Sequence, residues 1–95
     1  MTSRAALELI RQCLATDRVI VTRHFAERLS QRGLFWSDVM TVFEAPRLIR
    51  SDGRDDFDRE RWFITGDAPD GLTAEVLCAV DRSDPHTVLV TIYWE

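Results

Sequence analysis

The fold is decided by the stretch LTAEVLCAVDRSDPHTVLVTIYWE, residues 72–95. Its two halves, 72–81 and 86–95, are rich in β-branched residues and alternate between core-facing and outward-facing positions, as β-strands do. The RSDP segment between them is typical of a tight turn. Because strands joined by so short a connection run antiparallel, we predict a hairpin of two long strands.

Two further strands are predicted upstream, where the sequence also has a period of two. They are RLIRS (47–51) and RERWFITG (59–66), joined by the polar, acidic connection DGRDDFD. A Pro/Gly turn, DAPDG, leads from the second of these strands into the hairpin. Four strands with short turns predict a four-stranded antiparallel meander.

The alternation also assigns side chains to the two faces of this sheet. The apolar face, which helices must cover, is predicted to carry Trp62, Ile64, Ala74, Val76, Cys78, Val80, Val88, Val90, Ile92 and Trp94. The opposite face is predicted to carry Arg61, Phe63, Glu75, Leu77, Leu89, Thr91 and Tyr93. This second face is half apolar, which is unusual for a surface in contact with water.

Helical periodicity is confined to the first half of the chain. Leu7, Ile10 and Leu14 recur at helical spacing, and Thr2 or Ser3 can cap that first helix. After the short extended segment RVIVT (18–22), Thr22 is expected to cap a second helix that ends near Gly33.

A third helix is expected to begin at Ser37 and to end before Pro46. The sequence therefore predicts an α+β fold with N-terminal helices packed on one face of the four-stranded sheet. We expect a single domain over residues 1–95, with 1–17 as an extra N-terminal helix and 18–95 as the core.

The charge distribution limits the classes of partner. The chain has 95 residues and a formal net charge of −4, and all twelve basic residues are arginine. Residues 1–33 hold six arginines against three acids, whereas residues 34–95 hold six arginines against thirteen acids. An acidic chain argues against non-specific nucleic-acid binding, which depends on phosphate neutralisation, but it allows a local basic patch.

Targeting and cofactor signals are lacking in this sequence. No apolar run reaches the roughly 20 residues that a membrane helix needs, and charges interrupt the N-terminal segment, so we expect a cytoplasmic protein without membrane contact. Cys13 and Cys78 lie in apolar patterns and are expected to be buried, reduced thiols. SDGRDDFD (51–58) lacks the spacing of a calcium loop, and we expect neither a metal nor a cofactor.

The segment TRHFAERLSQRG (22–33) places His24, Arg28 and Arg32 at spacings of four along one edge of a helix. Two interpretations are open. In the structural one, His24 hydrogen-bonds a neighbouring strand and the two arginines anchor acidic loops. In the functional one, the three side chains form a cationic groove at a helix–sheet boundary, where His24 supplies proton transfer.

The stretch VTRHFAERLSQRGLFWSDVMTVFEAPRLI, together with the final strand VTIYW, resembles a group of small bacterial domains of unknown function. That group is similar to the RelE/ParE/BrnT toxin superfamily, in which two helices pack on an antiparallel sheet. The resemblance covers about residues 19–95 and leaves out the first helix.

This resemblance implies the toxin-like component of a bacterial toxin–antitoxin pair, with an antitoxin protein as partner and a metal-free RNA-binding or RNA-cleaving activity. In such a ribonuclease a 2′-hydroxyl attacks the adjacent phosphate, which requires a proton-transfer group and a cation. The residues assigned to catalysis are His24, Arg28 and Tyr93, and those assigned to substrate binding are Arg32, Arg61 and Phe63.

The competing hypothesis is a non-catalytic interaction module with the same fold. In that case the half-apolar sheet face docks a partner helix or a second copy, which would make a homodimer. The acidic connection Asp52–Asp58 would then bind a basic protein.

Overall fold

The computed structural model describes residues 1–95 and has the predicted α+β composition. It contains three α-helices, a short 3₁₀ turn and five β-strands. In chain order these are α1 (Ser3–Ala15), β1 (Val19–Val21), α2 (Arg23–Gln31), α3 (Trp36–Glu44), β2 (Pro46–Arg54), β3 (Glu60–Asp67), the 3₁₀ turn (Pro69–Gly71), β4 (Thr73–Asp81) and β5 (His86–Trp94). None of the three helices combines the length and apolar character required to cross a membrane.

The sheet has five strands in the order β1-β5-β4-β3-β2. Strands β2 to β5 form the predicted antiparallel meander, but β1 pairs in parallel with β5, with Val19 opposite Thr87 and Val21 opposite Leu89. The predicted four-stranded antiparallel sheet is therefore wrong, because the sheet is five-stranded and mixed. The RVIVT segment was identified as extended, but its partner lies more than 60 residues away and nothing local specifies that pairing.

The helices cover one face of the sheet, as predicted. All three contribute to a single cluster of 14 buried residues: Ala6, Ile10, Phe25, Val39, Val42, Phe43, Trp62, Ile64, Ala74, Val76, Cys78, Val80, Leu89 and Ile92. Since α1 supplies Ala6 and Ile10, it belongs to this core and does not lie outside it.

The helix boundaries follow from capping contacts. The N–H of Ala5 donates to Thr2 Oγ1 at 3.1 Å, so Thr2 is the cap of the two residues that the sequence allowed. The N–H of Phe25 donates to Thr22 Oγ1 at 3.2 Å, which confirms the predicted cap of α2. Helix α3 differs from the prediction, since Phe35 precedes its first turn and Ser37 lies inside it. There the carboxylate of Asp38 accepts the Phe35 N–H at 2.7 Å, and no side chain at the N-cap position accepts a first-turn N–H as the predicted serine would.

A β-bulge in β5 changes which side chains reach the core. Leu77 is opposite Thr91 while Cys78 is opposite Leu89, which leaves Val90 without a partner. The alternation therefore reverses, so Leu89 is completely buried in the core while Val88 and Val90 lie on the opposite face. Their predicted placement on the helix-covered face is wrong, because the alternation of residue types along the sequence does not show where a strand contains one extra residue.

Helix α3 crosses β3 at a glycine. A Cβ atom on Gly66 would lie 3.1 Å from the Cα atom of Val42, which is tighter than most Cβ contacts in proteins. Gly66 thus allows α3 to approach the sheet backbone directly, which brings Val42 and Phe43 into the core.

The bulge can be tested by comparing Leu89→Ala with Val90→Ala. We expect Leu89→Ala to lower the free energy of unfolding by about 2–5 kcal/mol, because it empties a fully enclosed site. Val90→Ala is expected to cost about 1 kcal/mol or less, because Val90 is only partly buried. Denaturant titration of both variants measures the difference. A larger loss of stability for Val90→Ala would show that Val90 faces the core and that β5 has no bulge.

Candidate functional site

Helix α2 lies along the part of the β5 edge that β1 leaves open. Strand β1 pairs only with residues 87–89 of β5, so the carbonyl groups beyond them need other partners. The Thr22 hydroxyl lies 2.8 Å from the Leu89 carbonyl oxygen, and Arg28 Nε donates to the Ile92 carbonyl oxygen at 2.9 Å. Side chains of α2 thus satisfy the edge of the sheet where a sixth strand would otherwise be needed.

His24 belongs to the same contact. Its Nε2 atom and Thr91 Oγ1 are 3.0 Å apart and share a hydrogen bond, while the rest of the imidazole is exposed. The structural interpretation therefore holds for His24, which does bond a neighbouring strand. That contact occupies only one ring nitrogen, and the other forms no hydrogen bond within the protein.

The two arginines of this helix stack on aromatic rings. The guanidinium carbon of Arg28 lies 5.4 Å from the ring centre of Tyr93 and 4.9 Å from that of Trp94, and Arg32 lies 4.4 Å from Trp94. Cation–π contacts of this kind hold a guanidinium in place without neutralising its charge. Arg28 and Arg32 do not anchor acidic loops, so that part of the structural interpretation is wrong.

The charge of Arg28 and Arg32 is uncompensated, unlike that of most arginines in this protein. Seven of the twelve arginines form ion pairs with carboxylates: Arg18, Arg23, Arg47, Arg50, Arg54, Arg59 and Arg61. Arg28 and Arg32 are the only unpaired arginines that lie one helical turn apart. We refer to His24, Arg28, Arg32, Tyr93 and Trp94 as the cationic edge.

The three polar residues of α2 in the cationic edge do not form the expected groove. The surface has five clefts, and none of them is lined by His24, Arg28 or Arg32. A ligand would therefore contact these residues from the open side, as a flexible chain can.

Arg61 and Phe63 lie elsewhere on the molecule. Both are on the face of β3 that the helices leave open, where Arg61 pairs with Asp52 at 2.9 Å and Arg50 covers the ring of Phe63 at 4.0 Å. Phe63 is opposite Leu77, which in turn is opposite Thr91, so two strand spacings, about 10 Å, separate Phe63 from β5. The structure brings His24, Arg28, Arg32 and Tyr93 together and leaves Arg61 and Phe63 outside that group.

A cleft of about 150 Å³ adjoins the cationic edge at Tyr93. It is lined by Thr65, Thr73, Glu75, Tyr93, Trp94 and Glu95. Tyr93 is directly opposite Glu75 in the sheet, and the Glu75 carboxylate accepts from the Thr65 hydroxyl at 3.0 Å and from Arg50 at 3.4 Å.

Sequence reasoning missed Trp94 and Glu75 as site residues. Trp94 packs against the core on the predicted face, but the alternation gives no sign that its half-buried ring also stacks with both arginines. Glu75 was placed on the correct face, and its position opposite Tyr93 could have been found by pairing the last two strands from their turn.

Neither cysteine contributes a nucleophile. Cys13 and Cys78 are free and buried, as predicted, and burial raises the pKa of the Cys78 thiol to about 12. The thiolate form of Cys78 is therefore negligible at neutral pH.

A comparison with protein-family models decides the family. Residues 21–94 match the model of a domain of unknown function, DUF4258. The chain belongs to this family. The prediction of a domain family of unknown function is confirmed, and the matched range contains the whole cationic edge but not α1. No curated protein and no solved structure matches the chain.

The acidic connection between β2 and β3 is internally braced. Asp55 Oδ1 accepts the N–H groups of Phe57 at 3.0 Å and Arg59 at 2.9 Å, and Asp55 Oδ2 accepts from Arg59 Nε at 2.7 Å. Partial burial raises the pKa of Asp55, but these donors outweigh burial and hold the pKa below its ordinary value.

We expect the hydrogen bonds to Asp55 to make a contribution to stability that is lost in acid. Because the pKa of Asp55 is lowered on folding, its contribution is complete above the unfolded-state pKa of about 4 and is lost as the pH falls through the folded-state value. Asp55→Asn should lower the free energy of unfolding at pH 7 by about 1–3 kcal/mol, and it should flatten the loss of stability below about pH 5.

The matched control is Asp56→Asn, since the adjacent Asp56 is exposed and forms no ion pair. Thermal unfolding from about pH 3 to pH 7 measures both variants. Equal pH profiles for the two variants would contradict the assignment of this brace to Asp55.

Proposed function

We propose that this protein is the toxin-like component of a bacterial toxin–antitoxin pair, acting on RNA in the cytoplasm through its cationic edge. The observation that carries this proposal is the pair of uncompensated guanidinium groups of Arg28 and Arg32, stacked on Tyr93 and Trp94. An arrangement of fixed cations beside exposed aromatic rings suits a flexible phosphate backbone with unstacked bases.

The donor geometry supports phosphate as the ligand of Arg28. Its Nε is engaged by the Ile92 carbonyl, which leaves the two terminal nitrogens for an anion. A guanidinium held by one backbone bond and two rings loses little freedom when it binds, so its contact with phosphate is favourable.

The acidic net charge is compatible with this proposal because of where the charges lie. Five of the six arginines in residues 34–95 form ion pairs with acids of that same part of the chain, whereas the first third of the chain has an excess of three positive charges. RNA would therefore bind in one orientation at the cationic edge, and other surfaces would repel it.

The proposal extends to cleavage through His24. The 2′-oxygen attacks the adjacent phosphorus and transfers its proton to the free nitrogen of His24. The bond to the 5′-oxygen then breaks, and that oxygen takes the proton from the imidazolium. The products are a 2′,3′-cyclic phosphate and a 5′-hydroxyl, Arg28 offsets the charge of the transition state, and Tyr93 holds a neighbouring base.

The fold is compatible with the RelE/ParE/BrnT resemblance on which the toxin assignment rests. Helices on one face of an antiparallel meander are common to both, although β1 adds a parallel strand here. The antitoxin would cover the cationic edge with a segment carrying carboxylates, since the same unpaired arginines that bind phosphate also bind acidic side chains.

A non-catalytic interaction module is the alternative, and the exposed aromatic rings of Phe35 and Phe57 favour it. The acidic connection is a weaker partner surface than its composition suggests. Three of its four aspartates, Asp52, Asp55 and Asp58, are already paired with arginines of the same chain.

RNA binding is tested with a fluorescently labelled single-stranded oligonucleotide at low salt. Arg32→Ala and Arg28→Ala should each weaken binding by about 10-fold, and each should reduce the slope of log K against log salt by roughly 0.7. The Arg32 side chain makes no hydrogen bond within the protein, so its variant separates binding from folding.

The matched control is Arg82→Ala, because Arg82 is exposed and unpaired but lies in the turn between β4 and β5. It removes the same charge and should leave the affinity within about two-fold of wild type. An equal loss in all three variants would indicate non-specific attraction, and absence of binding in the wild type would leave the interaction module as the function.

Cleavage is tested separately, by the appearance of 2′,3′-cyclic phosphate ends. His24→Ala should lower kcat by about 100-fold or more with KM nearly unchanged, because it removes the proton-transfer group and retains the arginines. Thr91→Val is the control, since it removes the hydrogen-bond partner of His24 and keeps the imidazole. Cleavage that survives His24→Ala would exclude His24 as the catalyst, and RNA binding without cleavage would reduce the activity to binding alone.

A further inference from the structure

The cleft beside Tyr93 is continuous with the cationic edge and contains a carboxylate. Resting on the proposed function, we propose that this cleft binds a guanine base, so that the protein selects guanosine in single-stranded RNA. Glu75 is the residue that recognises the base, Tyr93 is the ring on which the base stacks, and Arg28 holds the phosphate of the same or the adjacent nucleotide.

The Glu75 carboxylate is fixed and accessible. Its side chain is 27% exposed, and it is held from one side by the Thr65 hydroxyl and from the other by Arg50. Each carboxylate oxygen has a second acceptor site, and those sites remain for a ligand. The two carboxylate oxygens of Glu75 lie side by side and can accept hydrogen bonds from two parallel N–H groups of a ligand.

Guanine alone among the four RNA bases presents such a pair, at N1–H and the N2 amino group. Adenine and cytosine each place one amino group beside a ring nitrogen that is itself an acceptor, and uracil places its N3–H between two carbonyl oxygens. A carboxylate repels those acceptors, so the same contact that binds guanine disfavours the other bases.

The distances along the edge suit a nucleotide. Tyr93 is opposite Glu75 in the sheet, so a base on its ring lies at the carboxylate. The Arg28 guanidinium carbon lies 5.4 Å from the centre of the same ring. Arg28 reaches Tyr93 from the β5 edge and Glu75 lies beside it on β4, so a phosphate at Arg28 and a base at Glu75 both adjoin the same tyrosine ring, as parts of one nucleotide would. The Tyr93 side chain is 43% exposed, which leaves ring surface for stacking.

The experiment measures the affinity of the full chain for a short oligouridylate that carries a single central G, A, C or U. Wild type should bind the guanosine oligonucleotide about 10-fold more tightly than the other three. Glu75→Gln keeps the size of the side chain and replaces one acceptor by a donor. It should abolish the preference for guanosine and raise the affinity for the adenosine oligonucleotide relative to that for the guanosine one.

Glu44→Gln is the matched control, because it removes the same charge from an exposed position at the end of α3. It should strengthen binding of all four oligonucleotides alike and retain the guanosine preference. If the four oligonucleotides bind wild type equally and Arg32→Ala still weakens their binding, guanine recognition is overturned and the proposed function stands. If Glu75→Gln retains the preference, Glu75 does not recognise the base, and if no oligonucleotide binds, both proposals fail together.

Discussion

Helix α2 binds the free edge of β5 through its side chains, and most other features of the molecule depend on this contact. A sheet edge leaves a row of carbonyl groups that must be satisfied, and a three-residue strand satisfies only the first of them. Thr22 links the end of β1, the start of α2 and the Leu89 carbonyl, so one residue joins three elements. Arg28 continues the contact at Ile92, which fixes the direction of the helix along the strand.

The bulge at Val90 makes this contact compatible with a packed core. It turns Leu89 into the core beneath the helices and places Thr91 on the opposite face, where Thr91 is itself buried and its hydroxyl meets His24. Without the extra residue, either the side chains before the bulge or those after it would point to the wrong face. The bulge therefore couples the packing of the core to the position of the imidazole.

The same contact determines where positive charge is available. An arginine that donates to a backbone carbonyl or stacks on a ring retains its full charge, whereas one that meets a carboxylate does not. Arg28 and Arg32 face β5, which offers carbonyl groups and aromatic rings. The arginines of the meander, such as Arg50 and Arg61, face strands and turns that carry acids. An acidic protein thereby keeps a local cationic surface, and the adjoining cleft places a fixed carboxylate at its end.

The sequence by itself determined the three helices, the four strands of the meander, the threonine cap of α2, and the alignment of His24, Arg28 and Arg32 on one helix edge. These follow from local periodicity and capping chemistry, which act over a few residues. Only the tertiary structure decided that RVIVT pairs in parallel with β5, that Val90 forms a bulge, and that Trp94 supports two arginines. Each of these depends on contacts between residues more than 50 positions apart, or on one unpaired residue in a strand. The composition gave the net charge, but which arginines remain unpaired depends on which carboxylates the fold brings beside them.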